Sequence, residues 1–142
     1  METEKIFDNY NMYLARISLY ESKIEDRKIE LMPALTSVLS HCPKAHNNAS
    51  TVERTVLKWD DDEEILKYQA IIKASQAKID LINRLLNMLN EETREIVKMS
   101  KFENRSQFEI GGIMGYSEKT IMRKMAAAFR KMDMIYPALE SG

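Results

Sequence analysis

Two glycines four residues apart, Gly111 and Gly115, constrain this chain more tightly than any other feature. They lie in SQFEIGGIMGYSEKTIMRKMAAAFRK, residues 106–131, which reads as two short helices joined by a tight turn. Helices that cross steeply need a residue without a large side chain at their closest approach, and Gly111 supplies it. The reversal that follows favours a residue free to take positive φ, a role for Gly115. Ser117 is placed to cap the next helix through its hydroxyl, with Glu118 near the positive end of that helix. Phe108, Ile110, Ile113, Met114, Ile121 and Met125 are expected to close a small core between the two helices. The spacing is that of a helix-turn-helix.

Lys119, Met122, Arg123 and Ala126 recur at i, i+3, i+4 and i+7 and so share the outer face of the second helix. In a DNA-binding unit that face enters the major groove. The competing reading is an ordinary helical hairpin with a solvated basic face. Charge distribution favours the first. The net charge of the 142 residues is −1, which argues against indiscriminate coating of nucleic acid. Residues 111–132 nevertheless carry Lys119, Arg123, Lys124, Arg130 and Lys131 against Glu118 alone. Phosphate contacts are expected there, and with them salt-dependent binding.

The rest of the chain reads as helix. Glycine and proline together account for only seven residues. From Glu2 to Met32 the apolar positions alternate in fours and threes: Ile6, Tyr10, Tyr13, Ile17, Tyr20, Ile24 and Leu31 form one heptad seam, with Arg27 as the interruption. Phe7, Leu14 and Leu19 widen that face. A loop is expected near 33–50, followed by a short helix that starts with the capping box Ser50, Thr51, Val52, Glu53. Asp60 to Glu64 is an acidic run, expected to cap and start a second long helix. In that helix Ile65, Tyr68, Ile72, Ile79, Ile82, Leu86 and Leu89 form another seam, with Ser75 as its gap. Two such helices can pair antiparallel, form a four-helix bundle in a dimer, or each find a partner copy; a homodimer is expected because a two-fold DNA site calls for two reading units and long apolar seams need burial. Asn90 should cap a third helix, Glu91 to Lys101, and Pro137 should break the segment after the second helix of the motif, leaving a short docking piece. The expected architecture is therefore all-α, with a helical, coiled-coil-like oligomerisation region over 1–88 and a helix-turn-helix domain over 89–142.

Enzymatic chemistry is not expected. There is no P-loop, and no nucleophile stands near a plausible base. His41, Cys42 and His46 are metal-ligating types, but adjacent residues rarely ligate one ion and a fourth ligand is missing. No metal and no cofactor are expected. The single cysteine excludes an intrachain disulfide and fits a reducing cytoplasm, and no stretch is long and apolar enough for a signal peptide or membrane span. The ten methionines read as adaptable core packing.

Leu89 through Phe102, the S-x-x-E-I-G start at Ser106, the G-Y-S-E-K-T turn and the closing A-A-A-F-R-K-M resemble the C-terminal promoter-recognition region of bacterial sigma factors, region 4. The whole layout resembles the ArpU, RinA and LtrC group of small phage transcriptional regulators. That resemblance implies sequence-specific binding of double-stranded DNA and activation of phage late packaging and structural genes in a bacterial host's cytoplasm; activation would proceed by contact with RNA polymerase or by competition for a promoter. It places Ser117, Glu118, Lys119, Thr120, Met122 and Arg123 on the DNA-facing part of the recognition helix. Arg123 would read guanine, Met122 a thymine methyl, Lys119 a base or phosphate, and Ser117 and Thr120 phosphates. Ser106 and Gln107 would clamp the backbone from the supporting helix. Lys124 stands where the pattern has an inward apolar residue and is expected to snorkel to a phosphate. Glu118 and Met122 replace arginines common in sigma factors, so a different DNA element is implied. The alternative reading is a phage packaging adaptor of the small-terminase kind that binds the packaging site.

Overall fold

The computed structural model describes residues 2–32 and 59–141, and these are helical with short connections. The helices are α1 Glu2–Asp8, α2 Tyr10–Glu30, α3 Glu63–Asn87, α4 Glu91–Lys101, α5 Gln107–Met114 and α6 Glu118–Ser141. The loop near 33–50, the trio His41, Cys42 and His46, and the capped helix from Ser50 lie outside the described residues. The chain forms two compact units. One joins Met1–Leu14 to Gln76–Gly142, and the other is Ala15–Ser75.

In the Ala15–Ser75 unit the two heptad seams meet within one chain. Tyr20 lies against Tyr68 at 5.4 Å between ring centroids. Arg27 forks onto Asp62 through Nε and Nη2 at 3.1 and 3.0 Å. Partners that rise in one strand of sequence while falling in the other define an antiparallel pair. Ile24 and Ile65 are buried in this seam. Arg27, the interruption in the first heptad, therefore has a defined role: it closes the pair where Asp62 caps α3 by accepting from the Ile65 amide at 3.1 Å. Those bonds hold the Asp62 carboxyl below its ordinary range. Ser75, the gap in the second seam, is buried and its hydroxyl has no hydrogen-bond partner among the described residues. Leu19, expected to widen the apolar face, is 53% exposed instead.

The other unit is assembled from both ends of the chain. The helix expected to run unbroken from Glu2 is interrupted at Asn9, which frees α1 to turn its own face toward α6. Phe7 is fully buried and meets Phe129 edge-on at 5.4 Å. Thr3, also fully buried, donates its hydroxyl to Asp133 Oδ1 at 2.5 Å, and its amide donates to the same oxygen at 2.9 Å. Lys101, at the end of α4, reaches Glu4 at 3.2 Å and Asp8 at 2.6 Å. Tyr10 stacks on Phe102 at 3.7 Å. The first helix thus lies in the same compact unit as the C-terminal helices.

Two further expectations change. Leu14 is 43% exposed and stays out of the core. Pro137 does not end the last helix; α6 runs through it for 24 residues. Proline removes one amide donor, but Met132 and Tyr136 are buried just before it and Leu139 is half-buried just beyond it, and that burial carries the helix onward. Truncating Phe7→Ala should destabilise the protein by about 3–5 kcal/mol in urea unfolding, the range for a large aromatic removed from a packed core, although Phe7 lies far in sequence from the helices it supports.

Candidate nucleic-acid interface

Three helices and their caps present the interface. Asn90 accepts from the Thr93 amide at 2.8 Å and starts α4 at the expected residue. Arg94 then donates to the carbonyls of Leu86 and Leu89 at 3.2 and 3.0 Å, and Lys131 to that of Met88 at 3.2 Å. Cations on the free carbonyls that close α3 satisfy its C-terminal end. Lys131 is therefore drawn toward α3 rather than left for phosphate.

The turn is built on the two glycines as expected. Gly115 caps α5 with φ 80° and ψ 27°, in the left-handed region. The amides of Gly115 and Tyr116 both donate to the Gly111 carbonyl at 2.9 Å. A β-carbon at Gly111 would stand 2.5 Å from the Tyr116 carbonyl oxygen, so only glycine permits this approach. Ile110, Ile121 and Met125 are buried behind the turn, as the spacing predicts. Phe108 and Ile113 are not. They are 76% and 55% exposed, and Met114 is half-buried. The eight residues of α5 have room for one inward stripe, which Ile110 and Gly111 occupy, and Phe108 and Ile113 fall on the other side of the helix.

Ser106 caps α5 by accepting from the Glu109 amide at 3.1 Å, and Gln107 beside it is half-buried. Ser117 caps α6 by accepting from the Thr120 amide at 3.2 Å, and the hydroxyls of Ser117 and Thr120 lie 2.9 Å apart. Both serines thus serve the helix ends first; each hydroxyl keeps some capacity for an outside group. Glu118, Lys119, Met122 and Arg123 are exposed together on the opening turns of α6, and Thr120 is half-buried. Lys124 is turned away from that face. Its Nζ sits 3.5 Å from Glu92 and 4.8 Å over the Tyr116 ring, because a carboxylate and an aromatic face lie within its reach. Tyr116 donates its hydroxyl to the same Glu92. That bond, with Lys124 nearby, holds Glu92 below its ordinary range and raises the Tyr116 phenol. This three-residue tie between α4, the turn and α6 was missed in the sequence; its members stand up to 32 residues apart and no spacing rule links them.

Residues 79–132 match the family described as Sigma-70, region 4. The protein carries a sigma region 4-like domain in its C-terminal part, within an all-helical fold. Domains of this family are DNA-binding regulatory domains and also bind RNA polymerase in general. The match begins inside α3 and ends at Met132, so it takes in the helix-turn-helix and leaves out α1, which packs on α6. No curated protein and no solved structure matches the chain. Among the described residues no helix is long and apolar enough to cross a membrane, and no cluster of metal-ligating side chains occurs.

Gly111→Ala should shift the turn and cost on the order of 3 kcal/mol in thermal or urea unfolding. At Gly112 a β-carbon meets nothing within 4 Å. Gly112→Ala should therefore be neutral or stabilise by up to about 1 kcal/mol through helix propensity. Glu92 supplies a pH test. Its folded pKa lies below the ordinary 4.5, so its contribution is complete above 4.5 and is lost as pH falls through the folded value. The urea midpoint of the parent should drop more steeply below pH 4.5 than that of Glu92→Gln, which keeps an acceptor for Tyr116 but does not titrate.

Proposed function

We propose that this protein is a sequence-specific, double-stranded DNA-binding transcription regulator that reads the major groove with the opening turns of α6. The observation that supports this most directly is the exposed set Glu118, Lys119, Met122 and Arg123, presented together on a helix of the sigma region 4-like domain. Lys119 and Arg123 have no ion-pair partner among the described residues, unlike Lys101 and Lys124. A cation held by an internal carboxylate is partly spent; one left in solvent can release a phosphate's counterions or read a guanine. Arg123 is the guanine reader, Met122 meets a thymine methyl, and Lys119 takes a base or a phosphate. Ser106, Gln107, Ser117 and Thr120 stand at helix starts where their remaining hydrogen-bond capacity suits the DNA backbone.

From the resemblance of the sequence to the ArpU, RinA and LtrC group we further propose activation of phage late packaging and structural genes, by contact with RNA polymerase in the cytoplasm of a bacterial host. The pairing of seams within one chain takes away one reason for a dimer. What supports two copies is the two-fold symmetry usual in DNA sites read by such motifs. No feature of the fold favours the packaging-adaptor reading over this one.

Arg123→Ala should weaken binding to the preferred DNA site by about 1–3 kcal/mol and relax base choice at one position, whereas Lys131→Ala, whose amine is turned to α3, should change DNA affinity much less. Electrophoretic mobility shifts with a site selected from random duplex DNA measure both. Equal binding by parent and Arg123→Ala across all sites would remove Arg123 from the readout.

A further inference from the structure

The supporting helix α5 carries large apolar side chains on both of its faces. Ile110 and Gly111 are buried toward α6, while Phe108, Glu109, Gly112 and Ile113 face solvent. Large apolar side chains on a helix face are ordinarily covered, yet here the outer side carries a phenylalanine 76% exposed and an isoleucine 55% exposed. Between them Gly112 leaves open space, with nothing within 4 Å of where its β-carbon would stand. Two large apolar side chains on either side of an uncovered glycine on a rigid element have the form of a docking surface.

The chemistry of the rim narrows the occupant. Glu109 lies on the same face, and its side chain is 57% exposed. Arg105 approaches it only at 4.0 Å and is held closer by Glu103, at 3.1 Å. An apolar face with a carboxylate in its middle repels phosphate, so it is not part of the DNA contact. It also suits a second copy poorly. One face of an eight-residue helix falls well short of the ~800 Å² per partner of a stable dimer, and a two-fold pairing would bring Glu109 toward its own copy.

We infer that the outward face of α5 docks a different protein, one presenting an apolar pocket with a lysine or arginine rim, bound beside this one on the same DNA. The inference rests on the DNA-binding reading above. A contact this small is weak in free solution, and sharing one DNA molecule supplies the effective concentration that makes it count. For a transcription regulator this is the surface through which it meets the transcription machinery.

The test uses the full chain, a duplex site selected from random DNA, and purified bacterial RNA polymerase as the probe. The double variant Phe108→Ser, Ile113→Ser should bind DNA like the parent but lose polymerase recruitment to that DNA by at least about tenfold, the scale of a hot-spot loss. Glu109→Lys should also weaken recruitment. Replacing Phe108 with p-benzoylphenylalanine should give a crosslink to polymerase that depends on the DNA, a readout that survives if the double variant folds poorly. Unchanged recruitment with no crosslink overturns the inference and leaves the DNA-binding reading intact. A loss of DNA affinity in the folded variants would assign the face to DNA, and a change of mass by light scattering would assign it to self-association; either overturns it. Failure of the parent to select any DNA removes both readings together.

Discussion

The interface hangs on one close approach, the hydrogen of Gly111 against the carbonyl of Tyr116. Any β-carbon there would stand 2.5 Å from that oxygen. The same glycine's carbonyl receives the two amides that follow the turn. These contacts set how α6 leaves α5, and so which of its residues face outward. With Ile121 and Met125 fastened inside, Lys119, Met122 and Arg123 have only the outer side available. The identity of the exposed set is thus a consequence of backbone contact rather than of the exposed side chains themselves.

Behind the turn, the unit is braced by interactions that cross the chain. Thr3 and Phe7 hold α6 through Asp133 and Phe129, Lys101 draws α1 to α4, and Glu92 ties the turn to α6 through Tyr116 and Lys124. An exposed helix keeps its geometry only if its supports are themselves locked by packing and hydrogen bonds. Basic residues divide accordingly. Arg94, Lys101, Lys124 and Lys131 satisfy carbonyls or carboxylates within the unit, while Lys119 and Arg123 have no ion-pair partner among the described residues. Counting basic charge along residues 111–132 treats these as equal, and the fold does not.

Much of this was legible beforehand because it is local. The caps at Asn90, Ser106 and Ser117 depend on residues within three positions of each other, and the left-handed turn at Gly115 depends on one residue. The two heptad seams were visible as periodicity, and every seam position from Ile6 to Leu31 is buried or half-buried. Phe108 and Ile113 read as core by hydrophobicity, which does not say which side of a short helix is covered, and the structure leaves both exposed. Pro137 reads as a break on its local penalty alone, and the burial of Met132 and Tyr136 just before it outweighs that penalty.

Local chemistry along the chain was enough to specify helices, caps, the turn and the outer face of α6, since capping, helical periodicity and glycine's conformational freedom act over a few residues. Tertiary packing alone decided that α1 belongs with the C-terminal helices, that the seams satisfy each other in one chain, which lysines are occupied, and that α5 keeps an apolar face in water. Each of those depends on which distant surface arrives first at a given side chain, and contacts such as Thr3 with Asp133 leave no trace in sequence spacing.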